Sequence, residues 1–124
     1  MTNVGVALPD SEEVAQTLIE RASDLARRLN GRWVAFLICN DAMPKPSAER
    51  AMQRAEMVMA SGGTVHLCEG DDIARTLLSL AELEKIDVLM MGAPRRRFIP
   101  GVVDRVLRAA RSFDVVVVGN GHHS

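Results

Sequence analysis

Apolar and polar positions along this chain keep to two periods, and each change of period marks an element. Asn3–Leu8 (NVGVAL) is short, apolar and β-rich. Pro9 to Glu13 breaks it: Asp10 or Ser11 can cap a helix, and Glu12 and Glu13 suit its first turn. Val14, Leu18, Ala22, Leu25 and Leu29 then step by 4, 4, 3 and 4, the spacing of one helix face, until Asn30-Gly31 ends it. Trp33–Cys39 (WVAFLIC) is a continuous apolar run, as a strand covered on both faces requires. After the NDAMPKP loop, Ser47–Ser61 reads as a helix with Met52, Ala55 and Met59 on its inner side, closed by Gly62-Gly63. TVHLCE is a third strand. Gly70-Asp71-Asp72 opens another helix, with Asp71 as cap and Ile73, Leu77, Leu80 and Ala81 inward. Ile86–Gly92 is a fourth strand, Pro100 or Gly101 starts the last helix, and Asp114–Gly119 is a fifth strand.

The order β-α-β-α-β-α-β-α-β with apolar strands predicts a parallel sheet wrapped by helices, an α/β fold of the open, doubly wound kind. In such sheets ligands sit beyond the carboxyl ends of the strands, where the winding direction reverses. Those ends are Leu8-Pro9-Asp10, Cys39-Asn40-Asp41, Glu69-Gly70 and Gly92-Ala93-Pro94. Residues 1–119 form one domain, and the polar tail 120–124 is expected to fray.

Composition narrows the function. At 124 residues with 48% hydrophobic and 25% charged content, the chain supports a core without staples. Aromatics are 3% and Tyr is absent, which argues against stacking platforms for single-stranded nucleic acid. The net charge of −1 gives no overall pull to nucleic acid or membrane. It is unevenly spread: residues 92–124 hold six arginines against two aspartates, a net of +4, and the remainder carries 9 basic and 14 acidic residues, a net of −5. Cys39 and Cys68 are too few and too far apart for a disulfide scaffold or zinc motif. No signal-peptide pattern and no apolar run near the ~20 residues of a membrane helix is visible. A reducing cytoplasm without membrane insertion is the expected setting.

The stretch GAPRRRFIPGVVDRVLRAAR, Gly92–Arg111, carries the most chemistry. Glycines let backbone N–H groups approach phosphate oxygens, and a helix start adds partial positive charge. With the first strand and long helix, the block GDDIARTLLSLAELEKIDVLMMG and the closing VVDRVLRAARSFDVVVVG, the chain resembles the universal stress protein family. Within it, Gly70-Asp71-Asp72-Ile73-Ala74, the arginine cluster and the Val-Asp-Arg-Val-Leu-Arg helix are most like the stress-protein-type domain of the Kdp potassium sensor histidine kinases, although no kinase catalytic region is present. The resemblance implies a sheet of order 3-2-1-4-5 of the adenine-nucleotide-hydrolase-like type. It also implies ATP in some members and cyclic di-AMP in some Kdp domains as candidate ligands, a homodimer through the last strand, and a kinase or transporter partner. ATP-binding members follow the fourth strand with Gly, two residues, Gly, nine residues and Gly-Ser/Thr. Here Gly92 matches the first glycine, Arg95 stands at the second, and Gly101 follows six residues on with Val102 after it. Arginine at a close-approach position blocks a main-chain cradle for a triphosphate but can supply a guanidinium, which pairs with phosphate through two hydrogen bonds. The expected ligand residues are therefore Arg95, Arg96, Arg97, Gly92 and the Gly101 helix start, with Asp10 and Asn40 at the neighbouring strand ends. The plain alternative is a solvated arginine loop.

Other residues have competing readings. Asp10 as a helix cap needs no ligand, and Asn40 and Asp41 suit a turn. Arg105, Arg108 and Arg111 share one arc of the last helix, expected to be its solvated face, with Val102, Val103, Val106, Leu107 and Ala110 opposite. Asp71 and Asp72 read as cap and dipole partner; His66 and Cys68 share a strand face but are too few for a metal site. The methionines at 52, 57, 59, 90 and 91 read as core filler. With no nucleophile–base pair and no Walker or HExxH motif, no catalytic residue is assigned. The reading is a non-catalytic sensory domain of signal transduction with anionic nucleotide binding; the alternatives are an ATP-binding stress protein with slow ATPase activity and a dimerising module without a small ligand.

Overall fold

Burial along the second strand shows how the sheet is covered. In the computed structural model, which describes residues 1–9, 11–39, 48–92 and 101–119, Trp33, Ala35 and Leu37 enter one apolar cluster while Val34, Phe36 and Ile38 enter another. Successive side chains point to opposite faces, so a strand buried at every position needs cover on both. The elements are β1 (Asn3–Ala7), α1 (Glu12–Arg28), β2 (Arg32–Cys39), α2 (Ala48–Ala60), β3 (Thr64–Glu69), α3 (Ile73–Leu83), β4 (Val88–Gly92), α4 (Val102–Ala109) and β5 (Asp114–Val118). All pairings are parallel and the order is β3-β2-β1-β4-β5, as the sequence and its resemblance led us to expect. The first cluster joins β1 and β2 to Leu18, Ala22 and Val58 of α1 and α2; the second joins β2 and β4 to Leu77, Ala81, Val103 and Val106 of α3 and α4.

The amino ends of the strands are pinned by Asn3. Its N–H donates to Asp87 Oδ2 at 2.8 Å, its side-chain amide donates to the Lys85 carbonyl at 3.0 Å, and its Oδ1 accepts from Arg32 Nε at 3.0 Å. The Asp87 N–H also donates to the Asn3 carbonyl, and the Asp87 main-chain carbonyl accepts from Asp114 N–H, so the starts of β1, β2, β4 and β5 are tied together through Asn3 and Asp87.

Several inner faces differ from expectation. In α1 the buried residues are Ala15, Leu18, Ile19, Ala22 and Ala26, while Leu29 is exposed. Alanines let the helix sit close to the sheet, which turns its inner row toward them. In α2 the inner row holds Arg54 and Val58, and Met52 and Met59 are 63% and 66% exposed, so they are not core filler; Met90 and Met91 are. In α4 Val103 and Val106 are buried, whereas Leu107 is exposed. The helix is only eight residues long, and its inward stripe is correspondingly narrow.

Candidate functional site

The winding reverses between β1 and β4. Val6 lies opposite Met90, so Leu8 and Gly92, two residues further on, leave the sheet side by side at its carboxyl end. All four helices start at that end. Ser11 caps α1, its hydroxyl accepting from Val14 N–H at 3.4 Å and its carbonyl from Ala15 N–H at 2.9 Å. The hydroxyl stands one turn below the first free amides, the position that satisfies an otherwise unpaired donor. Gly101 is the N-cap of α4 and brings no side-chain cap, so the positive end of that helix dipole is left to whatever lies before it.

Gly92 and Gly101 are the two expected ligand residues among those described. Asp10, Asn40, Arg95, Arg96 and Arg97 lie outside the described residues, as do the tail residues 120–124. Gly92 has a packing reason of its own. A Cβ there would stand 3.1 Å from Val14 Cγ1, inside ordinary contact distance, so a side chain at the end of β4 would press on the first turn of α1.

At this end the sequence reading missed one buried charge and one pairing of charges. Arg54, on α2, is 7% exposed and donates from Nη1 to the Pro9 carbonyl, where the chain has just left β1. With Glu12, Ala15, Ile19 and Arg50 it borders a narrow crevice between α1 and α2. The signal was present: in the row Ala51, Arg54, Ala55, Val58, at steps of 3, 1 and 3, one arginine interrupts small and apolar residues.

The missed pairing is Asp72 with Arg105. Asp72, not Asp71, caps α3, accepting from Arg75 N–H at 3.2 Å. Its two oxygens also take Arg105 Nη1 at 2.9 Å and Nη2 at 2.6 Å, a fork that ties the start of α3 to α4. Hydrogen bonding from Arg105 first, and from the Arg75 amide second, holds the Asp72 carboxyl below its ordinary value; the same bond raises Arg105. Arg105, Arg108 and Arg111 are exposed, as expected of a solvated arc, and from that arc Arg105 also ties α4 to α3.

A different opening lies at the amino end of the sheet, a groove of about 430 Å³ bordered by Ser23, Arg27, Arg32, Trp33 and Ser61. The carboxyl ends of α1 and α2 meet there, and their negative dipole ends disfavour an anion. The Ser61 carbonyl is already taken by the Ser23 hydroxyl and the Trp33 indole N–H, at 3.0 and 3.1 Å. His66 packs edge-on to Phe36 with ring centroids 6.0 Å apart and stands 3.7 Å from Glu84, as a packed histidine does. Among the described residues no three His, Cys, Asp or Glu gather as metal ligands, and no helix is long and apolar enough to cross a membrane.

No protein-family model matches the chain. Over 116 residues, 89% of its length, it is 29% identical to the sensor protein KdpD of Mycobacterium tuberculosis, and it spans only 13% of that protein. A universal stress protein crystallised in complex with cAMP superposes with a TM-score of 0.76 at 18% identity, over 97% of this chain and 98% of the other. A universal stress protein from Archaeoglobus fulgidus in complex with dAMP gives a TM-score of 0.73 at 17% identity, over 94% and 97%. Strand order, helix placement and these likenesses agree: the chain has the universal stress protein fold, and in sequence it resembles a short part of the sensor protein KdpD.

Proposed function

We propose that this chain is a non-catalytic sensory module that binds an anionic adenine nucleotide at the carboxyl end of its sheet. The observation that carries the reading is the reversal between β1 and β4, with Gly92 leaving the sheet beside Leu8 and an α4 that starts without a side-chain cap. Arg95, Arg96 and Arg97 follow Gly92 in sequence and lead to Gly101, so the guanidinium donors that suit phosphate are supplied between the two ends of the site. Asp10 and Asn40, next to the ends of β1 and β2, are the proposed nucleoside-side contacts. Two proteins of the same fold have solved structures in complex with cAMP and dAMP, each a nucleotide with a single phosphate. That suits a loop whose second glycine position holds Arg95, where main-chain wrapping of three phosphates is blocked. The likeness to KdpD favours a signalling role, in which the nucleotide biases the domain between two arrangements by binding one of them more tightly.

Calorimetry with cAMP, cyclic di-AMP, ADP and ATP tests this. One of the nucleotides should bind, and reversing charge at Arg95, Arg96 and Arg97 to glutamate should weaken it by at least ~10-fold, since one charged hydrogen bond contributes about 1.5–3 kcal/mol. No binding, or an affinity indifferent to the reversal, overturns the proposal. Tight magnesium-dependent ATP binding with turnover would instead support the slow-ATPase alternative.

A second reading, association of two copies through β5, is favoured by one observation. The strand lies at the sheet edge, with Val116 and Val117 each 39% exposed. An apolar edge strand is a template for another strand.

A further inference from the structure

Arg54 has no role in the fold as read from its apolar pattern, yet among the described residues it is the one buried side chain that carries a charge. Burying a guanidinium is expensive unless hydrogen bonds compensate it. Its compensation includes the Pro9 carbonyl, together with other interactions. Pro9 is a point where the chain has few means of holding itself. The Leu8 N–H to Phe36 carbonyl bond, at 3.0 Å, is the last sheet bond on this side, and Pro9 has no N–H to add another. Two residues later the chain is fixed again, by the Ser11 hydroxyl and carbonyl within α1. Both sequence neighbours of Asp10 are therefore anchored, Pro9 from α2 and Ser11 from α1.

We infer that Arg54 is a positioning residue for the nucleotide crevice: from the buried side of α2 it holds the Pro9 carbonyl, so that the chain leaving β1 is fixed at Pro9 before an anionic adenine nucleotide arrives. The inference rests on the binding reading above. Its physical content is pre-organisation: a connection already held need not be ordered by the ligand, and the affinity otherwise lost to ordering is retained. The guanidinium suits the task because its planar fork can hold a carbonyl and further partners at once, whereas an ammonium acts as a point donor.

The test compares Arg54→Lys and Arg54→Met with the unaltered chain. Urea unfolding first establishes that each variant is folded. Amide hydrogen exchange without ligand is then read at Leu8, Val14 and Ala15, with Ala22 and Ala26 of the same helix as internal controls. Calorimetry with whichever of cAMP, cyclic di-AMP, ADP and ATP the unaltered chain binds gives affinity. In Arg54→Met, exchange at Leu8, Val14 and Ala15 should quicken by about 10-fold relative to the controls, and nucleotide affinity should fall by about 10-fold. Arg54→Lys should lie between, and it decides the matter if Arg54→Met does not fold. Unchanged exchange at the three amides in a folded variant overturns the inference, as does undiminished affinity where the unaltered chain binds. If the unaltered chain binds none of these four nucleotides, the binding reading fails on its own, and local quickening in the exchange data would still support the Pro9 anchor.

Discussion

Replacing Gly92 by alanine separates packing from ligand contact at the end of β4. The added Cβ would stand 3.1 Å from Val14 Cγ1 and 3.9 Å from Leu18 Cδ1. Carbon atoms rest comfortably at about 3.5–4.0 Å, so Leu18 accepts the methyl and Val14 must retreat by about half an ångström. Val14 is β-branched and sits in the first turn of α1, where χ1 has one strongly preferred well. Rotation gives little relief, and the first turn of the helix has to shift. Overpacking costs about 1–3 kcal/mol, and a single contact against a half-buried valine belongs at the low end. Against it, alanine restricts the unfolded chain and returns about 0.4–1 kcal/mol. The single variant is therefore expected to lose about 1 kcal/mol or less, and a double-mutant cycle carries the test. Val14→Ala removes the atom that clashes, so Gly92→Ala should cost about 1 kcal/mol less in that background. Urea unfolding at constant slope would show this as a difference of about 0.5 M in midpoint. Additivity within about 0.3 kcal/mol would refute the packing account of Gly92. In the relieved double variant, lost nucleotide affinity would then report main-chain approach by the ligand, free of the packing effect.

Two further outcomes follow from charge and edge geometry. Because Arg105 and the Arg75 amide depress the Asp72 carboxyl, that group's contribution to stability is complete above the ordinary aspartate value of 3.8 and is lost as pH falls through the lower folded value. Asn keeps the capping acceptor, so the urea midpoints of the unaltered chain and Asp72→Asn should differ at neutral pH, converge in acid, and draw together in high salt; a gap that widens on acidification refutes the pairing. For association through β5, Val117→Lys should shift sedimentation toward a monomer, since an edge lysine opposes strand pairing. An unaltered chain that sediments as a monomer at high concentration rejects that contact.

The central strands were legible because they are covered on both faces, and a run such as Trp33–Ile38 has no polar residue to mislead. Their order came from the family likeness, which the pairings bear out. Helix faces were less legible, for a physical reason. Counting large apolar residues placed Met52 and Met59 inward, but the packed row of α2 includes Ala55, which lets the helix approach, and an arginine whose burial depends on a carbonyl 45 residues away. Asp72 and Arg105 are 33 residues apart, and their pairing exists only because α3 and α4 are neighbours on one face of the sheet. Local spacing identifies a cap or a charged arc, and cannot tell that the two will meet. The same limit made Asp71 the expected cap when the adjacent Asp72 takes the role.

Neither Gly92 nor Gly101 is there for a ligand's sake alone. In sequence, Gly92 matches the first glycine of a phosphate-binding pattern, but in the fold its missing side chain is accounted for by Val14. Gly101 has φ −96° and ψ −173°, an extended conformation open to any residue, so its backbone does not demand glycine either. Neither position therefore needs a triphosphate to explain it, and the proposed anion recognition must be carried mainly by the guanidinium groups of Arg95, Arg96 and Arg97. Side-chain recognition has a different signature from main-chain wrapping. Guanidinium donors on flexible stems, in reach of solvent, lose strength as salt rises, and they discriminate by total phosphate charge less than a closed loop does by phosphate number. If these arginines hold the nucleotide, its affinity should weaken steadily with salt, and a single phosphate should be enough to bind.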